Sequence, residues 1–274
     1  MGADGDPSAH PQRAAGRRRP HATQLEPARA GVRERCPGAG GCGLSHLPGR
    51  LDHPGGDRRG PFRKGLGRAP GRPLKGGCLV SEWRIDNLET VGGHPITTLG
   101  APKVIDAPGG RAVAFGGEGD ALLLNTHPLV GLDRFTVEVL FRPDADGPVE
   151  QRFLHLQEDG SEDRLLFETR LPTPGQWFLD TFIKSGAHSH ALFARTFLHP
   201  VGEWYHAALV FDGREMRHYL NGVQELAHEI AFTPLRAGKT SIGVRMNRVS
   251  WFKGAIRMIR FTDGVLEPEA FLKM

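Results

Sequence analysis

The stretch that most constrains the fold is the segment 202–223, in which two short turns separate three runs of alternating side chains. From Glu203 to Phe211 both sets of alternating side chains are largely apolar, which is the pattern of a β-strand covered on both faces. Asp212-Gly213 and Asn221-Gly222 then supply tight turns, because glycine and asparagine accept positive φ angles. The segment therefore predicts three antiparallel strands within a sandwich of two sheets.

The letters of this segment, WYHAALVFDG from Trp204 and YLNGV from Tyr219, resemble the signature hairpin of laminin G-like (LamG) domains. These domains belong to the concanavalin A-like lectin/glucanase jelly-roll superfamily. FKGAIRMIRF from Phe252 is similar to the closing strand of that family. With AFGGEGD from Ala114 and FTVEV from Phe135, the resemblance covers roughly residues 83–272. It implies an all-β fold, an antiparallel β-sandwich of the concanavalin A-like jelly-roll type.

Apolar runs separated by turn signals continue through the second half of the chain. The runs predicted as further strands are 134–142, 151–156, 164–169, 176–183, 190–197, 240–244 and 252–261. Strands of this length at this spacing predict a sandwich rather than alternating strand and helix units. The only predicted helix is 267–272, which has Pro268 in its first turn.

Charge divides the chain near residue 80. Residues 1–80 contain 15 Lys plus Arg and 6 Asp plus Glu, a net charge of +9, whereas residues 81–274 contain 20 and 25, a net charge of −5. The first part is rich in Gly, Pro, Arg and Ala and lacks apolar periodicity, which predicts a disordered arm followed by a laminin G-like domain at 81–274. The interpretation that we favour for this part is upstream GC-rich DNA translated from a start codon placed too early, with Val80 as an alternative initiation site. The acidic excess argues against nucleic acid as a partner of the folded domain.

The positions of the cysteines and the apolar runs indicate whether the protein has disulfides, an export signal or a membrane span. Cys36, Cys42 and Cys78 all lie in the predicted arm, so the domain is expected to fold without disulfides. No stretch matches the roughly 7–15 apolar residues of a signal-peptide core or the roughly 18 of a membrane span. We therefore expect no export signal in this sequence and no transmembrane segment. An extracytoplasmic, bacterial module is suggested only by the resemblance and by the GC-rich character of the arm.

Two groups of residues could indicate a catalytic function. Laminarinase-like glucanases of the superfamily carry two carboxylates on one strand as Glu-x-Asp-x-x-Glu. Glu138 has no such partner, so we interpret it as a polar residue on a concave or solvent face. Jelly-roll polysaccharide lyases use Arg-x-Glu and Gln-x-His strands. The lyase motifs are matched only in part by the segments that contain His155, Glu168 and Arg170. We nevertheless expect these three residues on neighbouring strands of one sheet. A polysaccharide lyase or glycoside hydrolase that uses these three residues is the enzymatic alternative.

A calcium ion is implied by the resemblance, because many laminin G-like modules bind Ca²⁺ at the rim of the sandwich through oxygen ligands. Asp120, at the end of a glycine-rich loop, is the first candidate ligand, and Asn247 and Asp180 are weaker ones. No other cofactor is expected.

Sugar recognition by such folds uses exposed aromatic rings together with amide and guanidinium groups. The candidates are Trp177, Arg245, Asn247 and Trp251, although both tryptophans also suit a core position. The loop that contains the last three combines these groups between two strands. The main prediction is a non-catalytic module that binds a carbohydrate, or a protein ligand, through rim loops. An adhesion module without a small-molecule site is the third alternative.

Overall fold

The structure is a computed structural model that describes residues 80–274. The predicted arm, except Val80, lies outside the described residues, as do the three cysteines. The described residues contain no helix that is both long and apolar enough to cross a membrane.

The described part of the chain is built from 18 β-strands and one short 3-10 helix. In chain order they are β1 Val80–Arg84, β2 Thr90–Val91, β3 His94–Pro95, β4 Thr97–Leu99, β5 Lys103–Ala107, β6 Gly110–Gly116, β7 Ala121–Leu124, β8 Phe135–Pro143, β9 Glu150–Glu158, β10 Arg164–Thr173, β11 Gln176–Ser185, β12 His188–Phe193, β13 His199–Pro200, β14 Tyr205–Phe211, β15 Glu215–Leu220, β16 Val223–Glu229, β17 Gly238–Ile242, β18 Lys253–Asp263 and η1 Pro268–Ala270.

Two eight-stranded antiparallel sheets pack face to face. The first, called sheet 1, has the order β16-β15-β14-β8-β18-β6-β5, with β1 paired to β18. The second, called sheet 2, has the order β12-β11-β10-β9-β17-β7-β4, with β13 paired to β11. The fold is the all-β antiparallel sandwich that the sequence predicts.

The core lies between the sheets and is rich in aromatic rings. Phe141 of sheet 1 stacks on Phe153 of sheet 2, with ring centroids 4.3 Å apart and planes at 14°. Trp177 of sheet 2 meets the Phe141 ring edge-on at 5.4 Å. These rings are fully buried, so they provide much of the apolar area whose removal from water stabilises the fold.

The hairpin that the sequence singles out is present. β14 pairs with β15 and β15 with β16, and Asn221 and Gly222 in the second turn have φ angles of 49° and 81°. These positive angles are those that a two-residue hairpin turn requires. The Asn221 Oδ1 atom also accepts a hydrogen bond from the backbone N–H of His206 at 2.9 Å, so the turn is fastened to the neighbouring strand.

The C-terminal segment after β18 covers the outer face of sheet 1. The predicted helix 267–272 is only the 3-10 turn Pro268–Ala270, since Glu267 and Phe271 on either side have extended backbones. Phe271 packs against Tyr219, with ring centroids 5.2 Å apart, and is 4% exposed. This segment therefore buries apolar side chains that sheet 1 would otherwise present to water.

Candidate functional site

The outer face of sheet 2 concentrates ionisable side chains. On this face Glu168 of β10 lies directly opposite Asp180 of β11 on one side and Arg152 of β9 on the other. Arg170, two residues along β10, projects to the same side because side chains alternate along a strand. Together with Glu150 these residues form what we call the charge cluster.

Arg170 is the centre of the charge cluster. Its Nη2 lies 2.9 Å from Asp180 Oδ2 and 3.1 Å from Glu168 Oε2, and its Nη1 pairs with Glu150. Arg152 supplies the second cation, with its Nε 3.1 Å from Glu168 Oε1. Glu168 and Asp180 have side chains only 3% and 2% exposed, so the guanidiniums compensate carboxylates that are nearly excluded from water.

Burial changes the protonation of the two inner carboxyl groups. Burial and the neighbouring Glu168 charge raise the pKa of Asp180 to about 7, against the opposing effect of Arg170. Burial also raises the pKa of Glu168, although Arg152 and Arg170 oppose it. The Asp180 Oδ1 atom is buried and has no hydrogen-bond partner among the described residues. An acid of this kind can hold a proton near neutral pH.

A pocket of about 150 Å³ adjoins the charge cluster and shares Glu150 and Arg170 with it. Its lining residues are Val149, Glu150, Arg170, Pro172, Phe178, Phe193 and Arg195. Phe193 lies on the edge strand β12 and is 48% exposed, and its ring stacks on that of Phe178 at 6.1 Å and 26°. The pocket thus joins an exposed aromatic ring to two guanidinium groups and an exposed carboxylate.

His155 lies on the same face, where it is opposite Leu166 of β10 and Ser241 of β17. It is 1% exposed, and its Nδ1 accepts a hydrogen bond from the Met246 backbone N–H at 2.8 Å. Burial and the charges of Arg164, Arg245 and Arg152, in this order, lower the pKa of His155 to about 3. His155 is therefore neutral at physiological pH.

The structure brings together two of the three residues that the sequence predicts as catalytic. His155 and the pair Glu168 and Arg170 do lie on the neighbouring strands β9 and β10 of one sheet. Glu168 and Arg170 are in direct contact. The hydrogen bonds and ion pairs of the described residues do not connect His155 to either of them.

The loop 245–251 between β17 and β18 is attached to the edge of this face. The Ser250 carbonyl oxygen accepts the Arg152 N–H at 2.9 Å, and the Ser250 hydroxyl lies 2.5 Å from Arg152 Nη1. Arg245 and Trp251 are half-buried and Asn247 is exposed. The predicted binding loop therefore adjoins the surface that carries the charge cluster.

Trp177 is a core residue, so its prediction as a ligand-binding aromatic is wrong. Its side chain is completely buried, and its Nε1–H donates to the Pro200 carbonyl oxygen at 3.1 Å. On β11 the residues Trp177 and Phe178 point to opposite faces, and the strand pairing directs Trp177 inward.

Asp120 fastens two loops. Its Oδ1 accepts the Ala101 N–H and its Oδ2 accepts the Gly116 N–H, both at 2.8 Å. Among residues 80–274 there is no group of three or more His, Cys, Asp or Glu side chains placed to hold a metal ion. The weaker candidate Asp180 belongs to the charge cluster. Calcium binding by Asp120 or Asn247 stays a prediction.

The pocket residues Phe178, Phe193 and Arg195 were missed by sequence reasoning. The alternation along 188–193 is a weak signal, because β12 is short and lies at the edge of its sheet. The pairing of Asp180 with Phe193, which directs the ring to the outer face, depends on the register between two strands.

These features define a β-sandwich with a polar and aromatic pocket on one outer face. The chain belongs to the concanavalin A-like lectin/glucanases superfamily, whose Laminin_G_3 family model matches residues 115–270. A comparison with curated proteins found no match.

Solved structures with a similar fold include domain 4 of AbnA, a GH43 extracellular arabinanase from Geobacillus stearothermophilus, in complex with arabinotriose. It is 21% identical, with a TM-score of 0.53 over 70% of this chain and 96% of that chain. The HCR/D W1238A mutant is 13% identical, with a TM-score of 0.51 over 69% and 49%. The binding domain of botulinum neurotoxin DC in complex with SialylT is 9% identical, with a TM-score of 0.50 over 69% and 49%. The chain thus spans about half the length of the last two, and at these identities the likeness shows the fold.

Proposed function

We propose that this domain is a non-catalytic module that binds a carbohydrate in the pocket beside Phe193. The observation that carries the proposal is the exposed ring of Phe193, which stacks on Phe178 next to Arg170, Arg195 and Glu150. Pockets for small ligands combine apolar walls with a few polar groups that fix orientation. The apolar face of a sugar ring would pack on Phe193, and its hydroxyl groups would bond to the three charged side chains.

The site is organised before a ligand arrives. Arg170 is held by three carboxylates, and Phe193 rests on a ring that is 4% exposed. Binding then costs little side-chain entropy, because these groups do not have to be ordered by the ligand.

Recognition without cleavage is favoured by the position of the acidic groups. Glu168 and Asp180 face guanidiniums rather than solvent, whereas a glycosidase needs one carboxyl group beside the leaving oxygen and another beside the anomeric carbon. Both tyrosines of the chain, Tyr205 and Tyr219, are buried. A lyase reaction at His155 would lack a tyrosine to move its proton.

One observation favours glycoside hydrolysis as a second candidate function. Asp180 has a pKa raised to about 7, and it lies opposite a second carboxylate. Glycosidases use two carboxyl groups, of which the acid has a raised pKa. If this function is correct, a ligand must displace Arg170 to reach them.

The comparisons give the proposal its first ligands. The arabinanase domain with a similar fold was solved with arabinotriose, so arabinan belongs in any screen. That enzyme is described as extracellular, and we extend the proposal to an extracytoplasmic location for this protein.

The test is a titration of the full chain with a panel of polysaccharides, arabinan included, followed by calorimetry on those that bind. Phe193→Ala should weaken binding about 10-fold, because losing part of the burial of a phenylalanine ring removes roughly 1–2 kcal/mol. Phe197→Ala is the matched control, since Phe197 is 38% exposed but does not line the pocket.

Equal affinities of Phe193→Ala and the unaltered chain would refute the pocket. The same samples are assayed for reducing ends and for unsaturated ends. Release of either would replace the non-catalytic proposal by hydrolysis or by lyase chemistry, respectively.

A further inference from the structure

His155 has a hydrogen-bond donor without an acceptor. Because its Nδ1 accepts the Met246 N–H, the proton of the neutral ring must be on Nε2. The Nε2 atom is buried and has no hydrogen-bond partner among the described residues. Buried polar groups are nearly always paired, so a lone buried donor indicates a missing acceptor.

The surroundings of this donor are positively charged. Arg164, on the neighbouring strand, has a buried Nε–H that also lacks a partner in the described part of the chain. Its guanidinium lies over the Phe182 ring, 4.9 Å from the centroid, and its ion-pair partner, Glu162, has a side chain that is 72% exposed. Arg245 has no carboxylate partner among the salt bridges of residues 80–274.

Arg164 and Arg245 lie close enough that the charge of Arg245 lowers the pKa of Arg164, after the larger effect of burial. Both arginines also act on His155. A water molecule could accept one hydrogen bond here, but it has no charge to offset Arg245, and Arg164 is paired only with the exposed Glu162. An anionic oxygen would accept the hydrogen bond and offset the charge.

We infer that the carbohydrate is acidic, and that a carboxylate or sulfate group on it binds Arg164 and Arg245 and accepts the His155 Nε2–H. The inference rests on the proposed function, which it narrows to acidic glycans. Arg170 in the pocket and Arg164 are six residues apart on one strand, about 20 Å between Cα atoms, so the ligand spans several sugar units. No ion pair in the described part of the chain holds the Arg245 guanidinium, so it can turn toward the anion.

The experiment compares hexa-galacturonic acid with its methyl ester, which has the same sugars without charge. A sulfated galactan oligosaccharide and its desulfated form make the second arm and identify which anion is preferred. Binding to the ¹⁵N-labelled full chain is followed by calorimetry and by the imidazole ¹⁵N signals of His155. We expect the acidic member of at least one pair to bind at least 10-fold more tightly and to shift the Nε2 signal. Arg245→Gln should remove that advantage.

Arg84→Gln is the matched control, because Arg84 is exposed on sheet 1 and its loss removes the same charge. An equal loss in this variant would refute the inference, as would equal affinities within both pairs or an unmoved Nε2 signal. Different results would overturn the proposed pocket and the proposed anion site. Neutral glycans that bind through Phe193 without an acidic advantage overturn only the anion site. Acidic glycans that shift His155 but are indifferent to Phe193→Ala overturn only the pocket.

Discussion

Asp180 and Glu168 lie directly opposite each other on β11 and β10, and both carboxylates contact the guanidinium of Arg170. Opposed side chains on antiparallel strands have Cβ atoms about 4.5–5.5 Å apart. Two ionised carboxylates at this distance repel each other inside the protein, and one guanidinium only partly offsets the repulsion. A proton on Asp180 relieves it, so burial first and the Glu168 charge second raise the pKa of Asp180, while Arg170 stays between the two carboxyl groups.

The first prediction concerns Asp180→Asn. The raised pKa means that the folded state binds this proton more strongly than the unfolded chain. Its contribution to stability is therefore complete below about pH 4 and is lost as the pH rises through about 7. Asparagine has no proton to lose, so the variant should become more stable relative to the original chain between pH 4 and 8. The gain in the free energy of unfolding should not exceed about 4 kcal/mol, because each of about three pKa units corresponds to about 1.4 kcal/mol. The measured gain should be smaller, since Asp180 and Glu168 titrate as a coupled pair.

Urea unfolding at pH 4, 5, 6, 7 and 8 measures this difference. Asp133→Asn is the control, since it makes the same change at a side chain that is 80% exposed. Parallel stability curves for Asp180→Asn and the original chain would contradict the raised pKa.

The second prediction concerns Glu138, which is completely buried on the outer side of sheet 1. It accepts hydrogen bonds from His206 Nε2 at 3.0 Å, Arg260 Nε at 2.5 Å and Leu272 N at 2.7 Å. Burial opposes its ionisation, but these bonds outweigh burial and lower the pKa of Glu138. Glu138→Gln should cost about 3 kcal/mol at pH 7, because the Arg260 charge, on a side chain that is 15% exposed, loses its partner.

The effect of Glu138→Gln should be largest in the C-terminal segment. Hydrogen exchange is expected to show a faster Leu272 amide, since its acceptor no longer carries a charge. A lowered pKa stabilises above the unfolded value of about 4.5, so the difference between the two proteins should shrink as the pH falls below it. Glu82→Gln, at an exposed position of β1, is the control. An unchanged Leu272 amide would show that the segment is held by Phe271 alone.

The third prediction separates Trp177 from Phe193. Trp177→Phe should lower the free energy of unfolding by about 2–3 kcal/mol, because it leaves a void and removes the bond from Nε1 to Pro200. The glycan affinity of the folded protein should be unchanged. Phe193→Ala should show the opposite pattern, with weaker binding and nearly unchanged stability. A joint measurement of denaturation and calorimetry decides, and a binding defect in folded Trp177→Phe would contradict its core role.

The parts of the fold that depend on neighbours in sequence could be predicted. The turn Asn221-Gly222 is specified by two adjacent residues that accept positive φ. The strands β8, β14 and β18 follow from local alternation, and the family resemblance gave their arrangement in a sandwich.

The site depends on contacts between distant residues and was therefore only partly predicted. Glu138 was correctly placed on a strand, but its three partners lie 68, 122 and 134 residues away in sequence. Trp177 and Phe178 are adjacent aromatics of one strand, and only the pairing of that strand shows which of them faces the core. The neighbour relation of β9 and β10 was foreseen, whereas the register that opposes Glu168 to Asp180 was not.

The last prediction tests the two roles assigned to Asp120. Asp120→Ala should cost about 1–2 kcal/mol in the presence of a chelator, because the exposed Ala101 and Gly116 amides lose their acceptor and bond to water instead. Asp159→Ala is the control, since the Asp159 side chain is 56% exposed and only pairs with Lys239. Thermal unfolding with added calcium then tests the sequence-based prediction of a metal site. Calcium that stabilises the original chain and not the variant would give Asp120 a ligand role besides its loop contacts. Equal stability of Asp120→Ala and the original chain in chelator would contradict the fastening role.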